Sequence, residues 1–97
     1  MTDQKISIVA HITANKENLD FVKAALLKLT KISKSDEGCI NYDLHQDKTN
    51  QNLFVVYENW ETPELLQKHT ESQHFVDFIE KTKDAMSIIV NEMIQIA

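Results

Sequence analysis

A glutamate and a histidine have the types and positions that acid–base chemistry needs. Glu58 shares one face of a predicted strand with Val56 and Trp60, and a carboxylate on an apolar face is costly unless it is paired or hydrated. We therefore expect Glu58 either to pair with a helix lysine or to act as a base with a raised pKa. His69 is the second candidate base, because histidine alone titrates near neutral pH when unperturbed.

His69 and His74 are separated by five positions, at the predicted end of one helix and the start of the next. A metal-binding pair on one helix is spaced by four, and no cysteine or acid completes a known ligand set, so the spacing predicts no metal site. The simpler roles are a favourable charge at a helix C-terminus for His69 and a surface or capping role for His74. Cys39, the single cysteine, has no CxxC partner and is expected to be a small buried hydrophobe.

Aromatic side chains around these residues suit the walls of a ring-binding site. Trp60 is either a core residue that covers the end of the sheet or a wall whose indole N–H positions a substrate. Tyr42 and Tyr57 could likewise either pack in the core or hold a substrate ring. The candidate set is His69, Glu58 and Trp60 for catalysis, and Phe21, Tyr57, His74, Phe75 and Phe78 for substrate binding.

The spacing of apolar residues predicts the order β-α-β-β-α-(α)-β. Alternation with period two predicts strands over 5–13, 39–46 and 53–60, and β-branched residues favour a fourth strand over 85–97. Helical spacing predicts helices over 19–33, 63–69 and 73–83, with Thr62 and Ser72 as N-caps of the last two and Asn15 or Asn18 as the cap of the first.

This order is that of a ferredoxin-like α+β sandwich, a split βαβ arrangement with one antiparallel four-stranded sheet and helices on one face. The opposite face is expected to carry Val9, Cys39 and Val55, with His11 and His45 beside them. An apolar sheet face must be covered, and in a chain of this size a second copy is the simplest cover. We therefore expect a homodimer through the open sheet face.

Composition and charge restrict the class of protein. The 97 residues fit a single domain, 1–97, and ten Lys plus Arg against fifteen Asp plus Glu give a formal net charge of −5. Such a chain is repelled by nucleic acid and by anionic lipid, so neither partner is expected. No apolar run approaches a membrane span and no signal-peptide core opens the chain, which together predict a cytoplasmic protein.

Three segments in the middle of the chain resemble a known family. They read EGCINYDLHQD (37–47), YENWETPELLQKH (57–69) and SQHFVDF (72–78). In this order and spacing they resemble the antibiotic biosynthesis monooxygenase domain, a family that includes quinol monooxygenases and a related group that degrades signal molecules. The resemblance covers about the whole chain. It implies a dimeric α+β barrel, a pocket between each sheet and its own helices, and oxygen insertion into phenols or quinols, often without metal, haem or flavin.

Two branches of this family fit the chain less well. The haem-degrading branch uses an Asn in the first strand and a His late in the third helix, where this chain has Ala10 and Ile79; of that branch's residues only Trp60 is matched. The polyketide-oxidising branch has polar residues around the tryptophan, where Val56 and Leu66 stand here. Neither haem degradation nor polyketide oxidation is therefore expected.

The resulting functional hypothesis is a monooxygenase without cofactors that oxidises a quinol-like or polyphenolic small molecule with molecular oxygen. One alternative is an isomerase or degrading enzyme for a small signal metabolite, a group that the Tyr42-Asp43 strand and His69 resemble equally well. The other is a non-catalytic binding module on the same dimeric fold, whose pocket would be filled by its own side chains.

Overall fold

One antiparallel sheet with helices on one face forms the protein in a computed structural model that describes residues 4–97. The strands pair in the order β2-β3-β1-β4, and every neighbouring pair is antiparallel. This is the predicted ferredoxin-like arrangement. The elements are β1 (Ile6–Ala14), a short 3-10 turn (Lys16–Asn18), α1 (Leu19–Ser33), β2 (Cys39–Gln46), β3 (Leu53–Trp60), α2 (Pro63–Thr70), α3 (Gln73–Thr82) and β4 (Met86–Met93).

The three helices begin close to where the sequence places them. The Thr62 hydroxyl accepts a hydrogen bond from the Leu65 amide at 3.1 Å, and Ser72 accepts one from the Phe75 amide at 3.3 Å. Both predicted N-caps are therefore confirmed. At α1 the prediction was wrong, because neither Asn15 nor Asn18 caps the helix with its side chain.

The two faces of the sheet differ as their alternation predicts. Ile8, Ala10 and Ile12 of β1 are buried beneath the helices, and in register with them lie the buried side chains of β3. The intervening residues, among them His11 and Val55, lie on the face without helices. The hydrophobic core thus sits in a single layer between the sheet and the helices.

A β-bulge in β2 overturns the predicted position of Cys39. Cys39 pairs with Trp60, whereas Asn41 pairs with the preceding residue, Asn59, so Ile40 is an extra residue in the strand. The insertion shifts the alternation by one. Cys39 therefore packs against the core instead of lying on the open face, and Ile40 is 53% exposed.

The last strand, β4, lies at the edge of the sheet and is shorter than predicted, because it ends at Met93. Beyond Met86 its residues are exposed on both faces, including the apolar Ile88 and Val90. The helix layer therefore leaves this edge of the sheet uncovered. Among residues 4–97, none of the helices is both long enough and apolar enough to cross a membrane.

Gly38 closes the turn between α1 and β2 and brings it against α2. Its φ of +83° lies in the left-handed region, and a Cβ at this position would lie 2.6 Å from the Leu65 Cβ. A side chain here would therefore be strained by the backbone and would also collide with the helix. The close approach holds the turn, which contains Asp36, beside the helix that carries His69.

Replacing this glycine should therefore destabilise the fold. We expect Gly38→Ala to lower the free energy of unfolding by about 2–4 kcal/mol, since left-handed strain and overpacking add. Urea denaturation followed by circular dichroism measures the loss, with Ser35→Ala, an exposed change in the same turn, as the matched control. A Gly38→Ala protein as stable as the Ser35→Ala protein would contradict this account.

Candidate active site

A cavity of about 110 Å³ lies between the sheet and the helix layer. Its walls are largely apolar, with Phe75 and Phe78 of α3 above the sheet. Four titratable side chains also line it, namely Tyr42 from β2, Glu58 from β3, His69 from α2 and, at the β4 edge, Glu92. The exposed side chains of β4 line it as well, so the cavity opens towards the uncovered edge of the sheet.

His69 is held in one orientation by Asp36. Its Nδ1 lies 2.7 Å from the Asp36 Oδ2, across 33 positions of sequence. The His69 side chain is only 1% exposed, and its other nitrogen, Nε2, is buried without a hydrogen-bond partner. One ring nitrogen is thus anchored while the other has no partner among the described residues.

The same Asp36 oxygen also contacts His74, whose Nε2 lies 2.7 Å away. Because a carboxylate oxygen only accepts, both imidazole nitrogens must donate to it. The Ser72 hydroxyl, 3.1 Å from the His74 Nε2, donates to the His69 carbonyl at 2.6 Å and so acts towards His74 as a second acceptor. These contacts assign the proton of neutral His69 to Nδ1, which makes Nε2 a hydrogen-bond acceptor.

Aromatic rings enclose the His69 imidazole. The Trp60 ring centroid lies 4.6 Å away at an interplanar angle of 31°, and Phe75 meets the imidazole edge-on at 5.1 Å. Tyr42 also approaches edge-on, at 5.7 Å. Burial among these rings lowers the pKa of His69, and the Asp36 carboxylate partly offsets this. His69 therefore stays neutral, with a free lone pair, at a lower pH than an exposed histidine.

Glu58 is a buried acid without a lysine partner among the described residues. Its Oε1 accepts a hydrogen bond from the Trp60 indole N–H at 2.9 Å. Burial raises the pKa of Glu58 to about 7, and the hydrogen bond from Trp60 opposes the rise. Of the two roles left open by the sequence, the structure thus shows the unpaired acid with a raised pKa. Near neutral pH it can either accept or donate a proton.

Tyr42 also lines the cavity and was not among the predicted site residues. Burial raises the pKa of this phenol above its ordinary value, and the Glu58 carboxylate adds to the rise. Tyr42 therefore remains a protonated hydrogen-bond donor throughout the neutral range. A donor, an acceptor and an acid that ionises near pH 7 thus meet in one mainly apolar space.

Four of the eight predicted site residues line the cavity, namely His69, Glu58, Phe75 and Phe78. Trp60 does not line it: the indole is fully buried, stacks on His69 and gives its N–H to Glu58, so it supports the site from behind.

Phe21, Tyr57 and His74 also lie outside the cavity lining. Phe21 is 46% exposed on α1. Tyr57 lies on the open sheet face, because it pairs with Val9 on one side and Asp43 on the other. These three remain predicted substrate contacts, and none of them lines this cavity. His74 instead contacts Asp36, a residue that the sequence did not single out.

The raised pKa of Glu58 gives the stability of the fold a defined pH dependence. The pKa in the folded state lies above that in the unfolded chain, so ionisation of Glu58 costs stability. This cost is absent below the ordinary glutamate pKa of 4.5 and complete above about 7. We expect this group to lower the free energy of unfolding by about 3 kcal/mol over that interval.

Glu58→Gln removes the ionisation and keeps an acceptor for Trp60. The free energy of unfolding of this variant, relative to that of wild type, should therefore rise by about 2–3 kcal/mol between pH 5 and pH 8. Urea denaturation at the two pH values measures this difference. Glu61→Gln, which removes the same charge from an exposed residue outside the cavity lining, is the control. Equal shifts in the two variants would show that burial does not perturb Glu58.

Comparison with known proteins supports the resemblance seen in the sequence. The family model described as antibiotic biosynthesis monooxygenase matches residues 5–81. The uncharacterized protein sll1783 of Synechocystis is 27% identical over 85 residues, 88% of this chain and 58% of that protein, so the chain spans little more than half of this relative. The “Putative monooxygenase YcnE” of Bacillus subtilis is 29% identical over 82 residues, 84% of this chain and 86% of the relative.

Solved structures agree with the fold. The crystal structure of PA3566 from Pseudomonas aeruginosa superposes with a TM-score of 0.93 and 26% identity, covering 100% of this chain and 99% of that one. The family match itself extends from β1 into α3 and so includes Asp36, Tyr42, Glu58, His69 and His74, but not the β4 residues at the cavity edge. The chain therefore belongs to the antibiotic biosynthesis monooxygenase family.

Proposed function

We propose that this protein is a monooxygenase that oxidises a small quinol with molecular oxygen and needs no bound cofactor. The observation that carries the proposal is the unpaired, buried Nε2 of His69, a residue that lines the cavity and whose Nδ1 is anchored by Asp36. Such a nitrogen is a general base placed for a proton inside the cavity. Family membership and the name of the Bacillus relative support the reaction class.

The size of the cavity narrows the proposed substrate. An engineered apolar cavity of roughly 150 Å³ holds benzene, and the cavity here is about 110 Å³, open towards β4. The enclosed space therefore suits a substrate of about one ring, and a larger molecule would have to extend through the opening towards β4.

The proposed reaction begins with proton removal. His69 Nε2 takes the proton of a ring hydroxyl, and the resulting phenolate transfers an electron to oxygen. The two radicals combine into a ring peroxide, whose O–O bond then breaks. One oxygen atom stays on the ring and the other leaves as water with two substrate hydrogens, so one quinol and one O₂ give one hydroxyquinone and one water. Tyr42 and Glu58 line the space in which these charges develop.

Removing the base should abolish most turnover and spare binding. We expect His69→Ala to lower the rate of oxygen uptake with single-ring quinols by about 10²–10⁴-fold, since general-base catalysis contributes that much. An oxygen electrode measures uptake, and fluorescence of Trp60, which stacks on His69, reports ligand binding. His45→Gln, on the exposed open face of β2, is the control. If His69→Ala and Glu58→Gln both left oxygen uptake unchanged, the proposed mechanism would be wrong.

One observation also favours an isomerase as a second candidate. Glu58, with a pKa of about 7, and the neutral base His69 share one cavity, and an acid and a base with separated roles are what proton shuttling between two carbons requires. Of the pair noted in the sequence, Tyr42 lines the cavity but Asp43 is exposed and pairs with Tyr57 of the open face. Turnover of a hydroxy-ketone sugar without oxygen uptake would favour the isomerase. A binding module is not favoured, because polar groups converge on the cavity.

We also propose that two copies associate through the open sheet face. Ile89, Met93 and Tyr57 are apolar residues of this face with exposures of 66%, 47% and 43%, and burying them stabilises a dimer by the hydrophobic effect.

A charge on this face should prevent association. We expect Ile89→Asp to yield a monomer by size-exclusion chromatography with light scattering. Leu27→Asp places the same charge at a residue of α1 that is 55% exposed and should leave the dimer intact. A monomeric wild type, or a dimeric Ile89→Asp protein, would refute the proposed interface.

A further inference from the structure

Asp36, His69 and His74 form a cluster whose significance extends beyond orienting the base. The three come from the turn after α1, the end of α2 and the start of α3. One ligand atom from each lies within 4.8 Å of the other two, and it is the one such group found among the described residues. The spacing of the two histidines gave no sign of it, because the third member is distant in sequence.

We propose that these three side chains bind a divalent transition-metal ion, with Zn²⁺ as the representative, and that the bound ion takes His69 out of use as a base. Two imidazole nitrogens and one carboxylate oxygen are a donor set suited to Zn²⁺, Ni²⁺ or Cu²⁺ and unsuited to Ca²⁺ or Mg²⁺, which prefer oxygen alone. The proposal that a metal ion binds depends on the cluster alone. The proposal that the ion inhibits His69 rests on the proposed function.

The Asp36 oxygen must move away from both histidines to admit the ion, and the three ligand atoms already lie within 4.8 Å of one another. Zn–N and Zn–O bonds of roughly 2.0–2.1 Å in a tetrahedron place ligand atoms about 3.3 Å apart. Each nitrogen now lies 2.7 Å from the Asp36 oxygen, so each separation must widen by about 0.6 Å. The Asp36 and His74 side chains are 19% and 22% exposed, which gives the ion a route in and leaves its fourth position to water.

Metal binding would exchange the roles of the two His69 nitrogens. At present Nδ1 bears the proton and Nε2 bears the free lone pair. An ion on Nδ1 uses that nitrogen's lone pair, so the proton of the neutral imidazole must move to Nε2. Nε2 then becomes a donor and cannot remove a proton from substrate. Transition-metal ions would thus inhibit the enzyme reversibly without entering the cavity.

Titration calorimetry with ZnCl₂ on the untagged full-length protein tests the site. We expect one Zn²⁺ per chain, and an affinity at least about tenfold lower in His74→Gln and in Asp36→Asn. His45→Gln removes an exposed histidine from the open face and should bind as wild type does. His74→Gln changes a partly exposed residue, and circular dichroism verifies that it is folded.

Nitrogen NMR of the histidine side chains provides a readout that does not depend on activity. With Zn²⁺ the His69 Nε2 signal should move from that of an unprotonated to that of a protonated ring nitrogen. If Zn²⁺ does not bind, or binds His74→Gln as tightly as wild type, the proposed metal site is wrong. Binding with an unprotonated Nε2 would overturn the inhibition. If oxygen uptake is absent in the metal-free protein, the proposed function fails while the NMR and calorimetry still decide the metal site.

Discussion

The whole site depends on one carboxylate oxygen, the Oδ2 of Asp36, which accepts hydrogen bonds from His69 and His74 together. Through it the turn after α1 is tied to both α2 and α3. The shared acceptor also selects the tautomer of His69, since a neutral imidazole that donates from Nδ1 must present a lone pair at Nε2. Without this contact a buried imidazole would have no fixed donor or acceptor direction. Gly38 permits the contact, because only glycine lets the turn approach Leu65 of α2 so closely.

A second constraint is the burial of an acid within the core layer. Glu58 lies opposite Tyr42 in the sheet, and its only hydrogen-bond partner among the described side chains is the Trp60 indole. Burying the Glu58 carboxyl group costs desolvation energy, whereas an apolar residue at the same position would not. Such a cost, carried beside a free histidine nitrogen in a cavity, is characteristic of a functional site rather than of a packing requirement.

Local signals in the sequence predict most of the fold. The bounds of α1 and the caps Thr62 and Ser72 depend on neighbouring residues, and the structure confirms them. The side of the sheet taken by Cys39 was predicted wrongly, because a bulge at Ile40 shifts the alternation and leaves no mark in the hydrophobic pattern.

The site was harder to predict for a related reason. His69 and Glu58 were recognisable by residue type, but the contact that orients His69 spans 33 positions and begins in a turn. The separation of five between His69 and His74 excludes a metal pair only while both lie on one helix. The break between α2 and α3 turns both rings towards Asp36. A single imidazole cannot be a metal ligand at Nδ1 and a base at Nε2 at the same time, so the proposed base and the proposed metal ligand are alternative states of His69.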